Sequence, residues 1–210
     1  MKKLLFTSTC LLILLAGFAQ KPQIGIVAGA SFSNFKAKSE GDDQTGDSKI
    51  GMTAGVVANF AIAEKFMIQS GLHLVQKGTQ DEESIGGLTA SIKLTSNWLE
   101  LPVNFLYNNG KFFVGAGPSF SFGIGGKWKV EFDGEEESEN VQFGNTEDDD
   151  IKGFDFGGNF VAGYQFKSGF FVAANFNQGF RNLLPDDSGE GSLKSHYFGL
   201  RLGYMLKGDK

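Results

Sequence analysis

The stretch "GFFVAANFNQGF", residues 169–180, decides the fold because its side chains alternate between two chemically different faces. The apolar face comprises Phe170, Val172, Ala174, Phe176, Gln178 and Phe180. The other face is mostly small or polar and comprises Phe171, Ala173, Asn175, Asn177 and Gly179. A period of two is typical of a β-strand whose sides meet different media. In a soluble barrel the apolar face points inward, whereas in an outer-membrane barrel it points outward into lipid.

The N-terminus, "MKKLLFTSTCLLILLAGFAQ", predicts an export signal. A basic start precedes an apolar run that ends near Leu15, and Gly17 and Ala19 are the small residues that signal cleavage needs. The apolar run is shorter than the ~20 residues of a membrane-spanning helix. We therefore predict a signal peptide at 1–19 and one mature domain at 20–210.

Composition narrows the class of protein further. The single cysteine lies within the predicted signal, so the mature chain has no disulfide. A closed barrel can hold itself together without one, because its backbone ladder joins end to end. A net charge of −5 and the lack of a basic patch argue against binding to nucleic acid.

Eight alternating segments follow one another without a helical period between them. They cover about 22–34, 50–61, 65–77, 88–107, 111–129, 151–166, 169–180 and 194–206. Tight connections, "AEK", "NNG" and "KSG", alternate with long ones at about 35–49, 78–87, 130–150 and 181–193. This alternation predicts an all-β protein, an eight-stranded antiparallel up-and-down transmembrane β-barrel. Its short turns are predicted to be periplasmic and its long loops extracellular.

Charged residues inside the segments indicate which face meets lipid. Four of them are flanked by apolar neighbours and are predicted to form an ionic network in the lumen: Lys93, Glu100, Asp155 and Arg201. A Lys or Arg at the lipid midplane would cost ~2–4 kcal/mol. A soluble barrel is excluded because eight strands enclose too little space for so many apolar side chains.

Two details of the strands follow from this assignment. Glycines on the lumen face are predicted to make room for Phe113, Phe171 and Tyr197. Ile92 and Leu94 have the opposite parity to Leu99 and Leu101, which predicts a bulge or register change near 95–97.

The long connections carry most of the 24 carboxylates, and basic residues lie nearer the strands. We predict a basic collar that meets lipopolysaccharide phosphates: Lys36, Lys38, Lys49, Lys77, Lys127, Lys129, Lys152, Arg181 and Lys194. Weak divalent-cation candidates are Asp148, Asp149 and Asp150, although no segment has a calcium-loop spacing. The alternative for residues 131–150 is a mobile solvated loop.

Few residues suggest catalysis. His73 is predicted to point into the lumen and to form a hydrogen bond there. A second histidine near the rim, His196, has potential partners in Asp186, Asp187, Ser192 and Ser195, but these residue types are common in polar loops. The sequence therefore predicts a protein that is not an enzyme and needs no cofactor. A continuous ion path is not expected through so narrow a barrel.

Several stretches resemble the PorT-like outer-membrane β-barrel family of Bacteroidetes, including "WLELPVNFLY", "FFVGAGPSFSFGIGGK" and the closing "YFGLRLGYML". The resemblance implies an OmpA/OmpX-like eight-stranded barrel inserted by the barrel assembly machinery among outer-membrane lipid and lipopolysaccharide. Most members of this family have no assigned activity, and we predict a role in envelope integrity or surface interaction through the acidic loops. The alternatives are an accessory of type IX protein secretion, a narrow solute pore and a rim-located lipid-modifying enzyme.

Overall fold

The computed structural model describes residues 22–39, 42–85, 88–133, 135–146, 148–185 and 191–206, so the predicted signal peptide at 1–19 lies outside the described residues. This part of the chain contains no helix long and apolar enough to cross a membrane. Its strands are β1 (Gln23–Ser39), β2 (Asp42–Thr45), β3 (Asp47–Ala63), β4 (Phe66–Ile85), β5 (Leu88–Asn108), β6 (Phe112–Phe132), β7 (Glu135–Asn140), β8 (Phe154–Gln165), β9 (Phe170–Gly179) and β10 (Gly191–Met205).

Eight strands form a closed antiparallel ring in chain order. Strands β1, β3, β4, β5, β6, β8, β9 and β10 each pair with the next, and β10 pairs with β1. The closing ladder runs from Gly25 opposite Met205 to Ser39 opposite Gly191. Two further short strands are not members of this ring: β2 pairs with β1, and β7 pairs with β6. The predicted eight-stranded up-and-down barrel is therefore confirmed.

Three connections at one end of the barrel are tight, as predicted. Strand β4 begins three residues after β3 ends. In the next turn Gly110 has φ 90°, and the Asn109 side chain accepts a hydrogen bond from the Phe112 amide at 2.9 Å. In the third turn Gly169 has φ 97°. Glycine adopts such angles without a steric penalty. We call this end the tight-turn end and the opposite end the long-loop end.

The strands reach further at the long-loop end than the sequence predicts. The predicted connection 78–87 contains a hairpin in which β4 runs to Ile85 and β5 begins at Leu88. The predicted connection 130–150 contains all of β7, whose six residues are exposed. Polar strands show no alternation of hydrophobicity, and so a hydrophobic pattern does not reveal them. The interpretation of 131–150 as a solvated loop therefore missed a strand.

The two faces of the barrel wall differ as the alternation indicates. Met52 is 74% exposed and Leu202 68% exposed on the outer face. In the opening stretch Phe170 and Phe176 point outward, whereas Phe171 is buried inside. The predicted role of the lumen glycines also holds, because a Cβ at Gly203 would overlap the ring of Phe171. The apolar face therefore points outward.

A register irregularity lies close to the predicted position, opposite the middle of β5. Asn97 pairs with Gly125 and Trp98 pairs with Gly123, so the extra residue is Ile124 of β6. The bulge therefore belongs to the facing strand. From Leu94 to Leu106 the even-numbered residues of β5 are the buried ones, with no shift at the bulge.

This geometry corrects the placement of Lys93. Because β5 is not shifted, Lys93 and Glu100 point to opposite faces of the wall. Glu100 is buried in the lumen, whereas Lys93 lies outside it and is partly exposed. Leu94 turns inward in its place and is 2% exposed.

Candidate functional site

The middle of the lumen holds a buried layer of charged side chains. Glu100 Oε2 lies 3.5 Å from Lys77 Nζ, and Glu100 Oε1 accepts a hydrogen bond from Tyr197 Oη at 2.5 Å. Arg201 Nη2 donates to the same tyrosine oxygen at 3.0 Å. Arg201 Nη1 lies 3.2 Å from His73 Nδ1, which is the lumen contact expected of this histidine. Glu100 thus pairs directly with Lys77 and is linked to Arg201 through the Tyr197 hydroxyl, and buried charges need such partners.

Lys77 does not belong to the predicted lipopolysaccharide-facing collar. Its side chain is 1% exposed, and its Nζ lies 5.3 Å from the ring centres of both Trp98 and Tyr197. The sequence interpretation missed the alternation of β4, which already indicates the direction of Lys77. Leu72 and Leu74 face outward, and so odd-numbered positions of this strand face the lumen.

Asp155 lies in the same lumen on strand β8 and is 2% exposed. Its Oδ2 accepts a hydrogen bond from Ser195 Oγ at 2.7 Å, and it lies within Coulombic range of Lys77. Of the four residues predicted to form the ionic network, the structure places Glu100, Asp155 and Arg201 in the lumen. Lys77 occupies the place that was assigned to Lys93.

Three asparagines cross the lumen beside the charged layer. Asn159 Nδ2 donates to Asn104 Oδ1 at 3.0 Å, and Asn175 Nδ2 donates to Asn159 Oδ1 at 3.2 Å. These side chains come from β8, β5 and β9, so the ladder ties three strands together. In the sequence these asparagines alternate with outward-facing apolar residues, and this pattern could have placed them in the lumen. The centre of the barrel is therefore filled with hydrogen-bonded side chains.

An apolar cluster closes the lumen at the tight-turn end. The rings of Phe113 and Phe171 meet edge to face with centroids 6.2 Å apart. All of its members come from the strands of the barrel wall. This turn-end plug consists of Val27, Val57, Leu106, Phe113, Val161, Phe171 and Met205.

A second apolar cluster closes the lumen at the long-loop end. This loop-end plug consists of Phe35, Leu94, Trp98, Val141, Ile151 and Leu183. Half of these residues come from barrel strands and half from the connections after β7 and β9. The Trp98 ring meets Phe143 edge to face at 5.4 Å, and the Lys152 amide donates to the Leu183 carbonyl at 2.8 Å. The two connections therefore fold together over the mouth of the barrel.

Part of the predicted collar does lie exposed near the long-loop end. Lys36 and Lys194 are exposed and face each other across the β1–β10 ladder. Lys127 is exposed on β6. Arg181 is held against the outer wall, where its guanidinium lies 5.6 Å from the Phe154 ring centre. These cations can reach anionic groups around the barrel.

Other collar residues have partners on the protein. Lys129 Nζ lies 2.5 Å from Glu136 Oε1, and this hydrogen bond lowers the pKa of Glu136 below its ordinary value. Lys93 Nζ lies 3.9 Å from Glu131 Oε2. Lys49 is within Coulombic range of both lysines. Exposed pairs of this kind contribute little to stability, because solvent screens them. They do reduce the local excess of positive charge.

Lys152 is a further correction to the predicted collar. This residue is 7% exposed, because the connection that carries it folds inward next to Ile151 of the loop-end plug. It therefore does not face lipid headgroups.

The aspartates proposed as weak divalent-cation ligands take part in the turn that precedes β8. Asp149 Oδ2 accepts hydrogen bonds from the Thr146 amide at 2.8 Å and from Thr146 Oγ1 at 2.6 Å, which lowers the pKa of Asp149. Asp150 Oδ2 accepts from the Gln142 amide at 2.8 Å, and Asp148 is exposed. Among the described residues no group of three or more His, Cys, Asp or Glu side chains is placed to hold a metal ion.

The residues considered for a rim enzyme do not converge where the structure describes them. Ser195 turns into the lumen and donates to Asp155. His196 is the next residue of the same strand and points to the opposite face. Asp186 and Asp187 lie outside the described residues. The absence of enzymatic activity stays a prediction.

A closed up-and-down barrel with an apolar outer wall and a polar interior is the architecture of a membrane-spanning β-barrel protein. The comparison with protein families identifies the family of membrane β-barrels. Residues 18–184 match the model described as "Outer membrane protein beta-barrel domain". The chain belongs to this family, and it is an outer-membrane β-barrel protein. The search of curated proteins found no match.

Similar solved structures include an attachment invasion locus protein, a surface protein and an outer membrane protease. Ail, the attachment invasion locus protein of Yersinia pestis, in complex with the heparin analogue sucrose octasulfate, is 16% identical with a TM-score of 0.44, covering 89% of this chain and 100% of that chain. Neisserial surface protein A is 11% identical with a TM-score of 0.49 and the same coverage. The outer membrane protease OmpT from Escherichia coli is 8% identical with a TM-score of 0.36, covering 89% and 99%. These values are too low to transfer an activity or a ligand.

Proposed function

We propose that the protein is a closed, non-enzymatic outer-membrane barrel that serves envelope integrity or surface interaction through its acidic long-loop end. The observation that carries this proposal is the filled lumen. A buried charged layer around Glu100 lies between two apolar plugs, and both plugs would have to open for a solute to pass.

Planar-bilayer recording of the purified protein tests the closed lumen. We expect the membrane to stay at its baseline conductance, because water and ions have no low-energy path through an apolar plug. Stable openings by the wild-type protein would contradict the closed lumen, and openings of small conductance would favour the narrow solute pore.

We further propose that the long loops are extracellular and the tight turns periplasmic. The contrast between short and long connections supports this orientation, because outer-membrane barrels place their longer loops outside. Protease added to intact cells is expected to cleave within residues 131–150, where the exposed strand β7 lies. Cleavage only after cell lysis would indicate the opposite orientation.

Two kinds of partner fit the long-loop end. The exposed cations Lys36, Lys127 and Lys194 suit lipopolysaccharide phosphates, because ammonium groups form charge-assisted hydrogen bonds with phosphate. The strand β7 is acidic and fully exposed, and it therefore suits a basic surface on another molecule. Insertion by the barrel assembly machinery is part of the same proposal.

The resemblance to PorT-like proteins supplies the second candidate, an accessory role in type IX secretion. Deletion of the gene separates the two. Detergent sensitivity or loss of adhesion with normal secretion supports the leading proposal. Loss of secreted cargo from cells with an intact envelope supports the second candidate.

A further inference from the structure

A trough of about 880 Å³ runs across the outer wall near the tight-turn end. Its floor is made of small side chains, because Ala162 of β8 and Ala174 of β9 are direct partners across the ladder. Val114 and Leu200 continue the same row on the neighbouring strands. A second trough of about 350 Å³ adjoins it and shares Ala28, Val172 and Leu202. The outer wall is therefore indented along one side.

Aromatic rings border this trough toward both ends of the barrel. Toward the tight turns, Phe112 and Tyr164 meet edge to face with centroids 4.8 Å apart. Toward the long loops, Phe160 and Phe176 are direct partners, and both are exposed. A flexible hydrocarbon chain lying on the alanine floor would contact protein on three sides. It would gain more dispersion energy there than against a convex wall.

Positive charge lies where the trough meets the tight turns. Lys111 is exposed and its carbonyl accepts the Gln165 amide at 2.7 Å, which places it beside the Phe112–Tyr164 pair. Lys167 is exposed in the next turn. Ammonium groups form charge-assisted hydrogen bonds with phosphate, so these two lysines suit a lipid phosphate at this level. Tyrosine is also typical of the headgroup level.

We propose that this trough binds one anionic phospholipid, with an acyl chain on the alanine floor and the phosphate at Lys111 and Lys167. The choice of a phospholipid over lipopolysaccharide rests on the proposed orientation, which places the tight turns at the periplasmic leaflet. The site is separate from the lumen and from the collar at the long-loop end.

Native mass spectrometry of the protein in mild detergent tests the proposal. Phosphatidylglycerol, phosphatidylethanolamine and lipid A are added to the wild-type protein in separate titrations. We expect one phosphatidylglycerol to bind with the highest affinity of the three. Equal binding of phosphatidylglycerol and phosphatidylethanolamine, or preferential binding of lipid A, would overturn the proposal. Because this comparison uses the wild-type chain, it does not depend on the folding of a variant.

Two pairs of variants locate the site. Ala162→Phe fills the trough and is expected to abolish the tight binding, whereas Ala58→Phe on the outer face of β3 leaves it unchanged. Lys111→Gln with Lys167→Gln is expected to weaken phosphatidylglycerol binding about thirtyfold, since each lysine near an anionic headgroup contributes ~1 kcal/mol. Lys65→Gln in the remaining tight turn is the matched control. Unchanged binding in Ala162→Phe would refute the site.

The binding measurement is made in detergent, and so it tests the lipid site whichever orientation surface proteolysis shows. A reversed barrel that still prefers phosphatidylglycerol would refute the orientation and keep the site. A correctly oriented barrel without this preference would refute the site and keep the orientation.

Discussion

The two plugs close the same lumen but are built from different parts of the chain. The turn-end plug contains only residues of the barrel wall, among them Phe113 and Phe171. The loop-end plug depends on Val141, Ile151 and Leu183, which lie in connections. Moving the first plug requires the barrel itself to deform, whereas moving the second requires only that two connections lift away.

This difference separates global stability from local opening. Contacts within a continuous hydrogen-bonded wall are lost only when the whole barrel unfolds, but segments outside the wall can open at a lower free energy. The charged layer around Glu100 lies between the plugs and is joined to three strands of the wall, through Lys77, Glu100 and Arg201. We therefore expect the contacts of the charged layer, like those of the turn-end plug, to be lost only when the whole barrel unfolds.

The largest effect is expected from Glu100→Gln, which removes the carboxylate between the two plugs. Lys77 would then lie buried without its ion-pair partner, at a cost of about 3–5 kcal/mol. Urea unfolding of the refolded protein, followed by fluorescence, gives the free energy of unfolding. Glu64→Gln in an exposed tight turn is the control and should leave the midpoint unchanged. A similar midpoint for both variants would show that the charged layer does not stabilise the barrel.

Phe113→Ala tests the turn-end plug directly. The expected loss in free energy of unfolding is about 3 kcal/mol, because the cavity is enclosed by rigid strands. Phe112→Ala is a matched control, since the neighbouring ring lies on the outer face and is exposed. If the two variants lose equal stability, the plug is not packed more tightly than the outer surface.

A smaller global effect is expected from Leu183→Ala in the loop-end plug. The usual cost of a buried Leu→Ala change is ~2–5 kcal/mol, but here the connections can open before the wall unfolds. We expect a loss below about 2 kcal/mol, together with faster proteolysis of the segment that carries Val141 and Ile151. Leu184→Ala is the control. Loss of the whole barrel at the same denaturant concentration as Phe113→Ala would contradict the distinction between the plugs.

The barrel wall could be predicted from the sequence because lipid and lumen impose opposite demands on alternating residues. The period-two pattern and the tight turns at Gly110 and Gly169 were enough for the strand number and the direction of the apolar face. Errors arose where this pattern was broken or absent. The bulge at Ile124 could be anticipated, but a sequence does not show which of two paired strands contains the extra residue. Lys93 was misplaced for that reason.

The loop-end plug could not be predicted, because its contacts are non-local. Ile151 and Leu183 are separated from Trp98 by long stretches of chain, and nothing in their local sequence indicates that they fold over the mouth. The strand β7 could not be predicted either, because its sequence is mostly glutamate and shows no alternation of hydrophobicity. In contrast, Lys77 was predictable, because the parity of β4 already placed it in the lumen.

The smallest effect is expected from the turn that carries part of the loop-end plug. Hydrogen bonds from Thr146 hold the pKa of Asp149 below its ordinary value. The ionised carboxylate therefore stabilises the turn above the pKa of an unfolded aspartate, and this stabilisation is lost as the pH falls through the lowered folded pKa. In Thr146→Val the pKa of Asp149 should rise toward its ordinary value, because the hydroxyl donor is lost. Titration of the Asp149 carboxyl carbon by NMR measures the change. Thr146→Ser keeps the donor and should titrate like the wild type, and a wild-type titration in Thr146→Val would show that the hydroxyl does not order this turn.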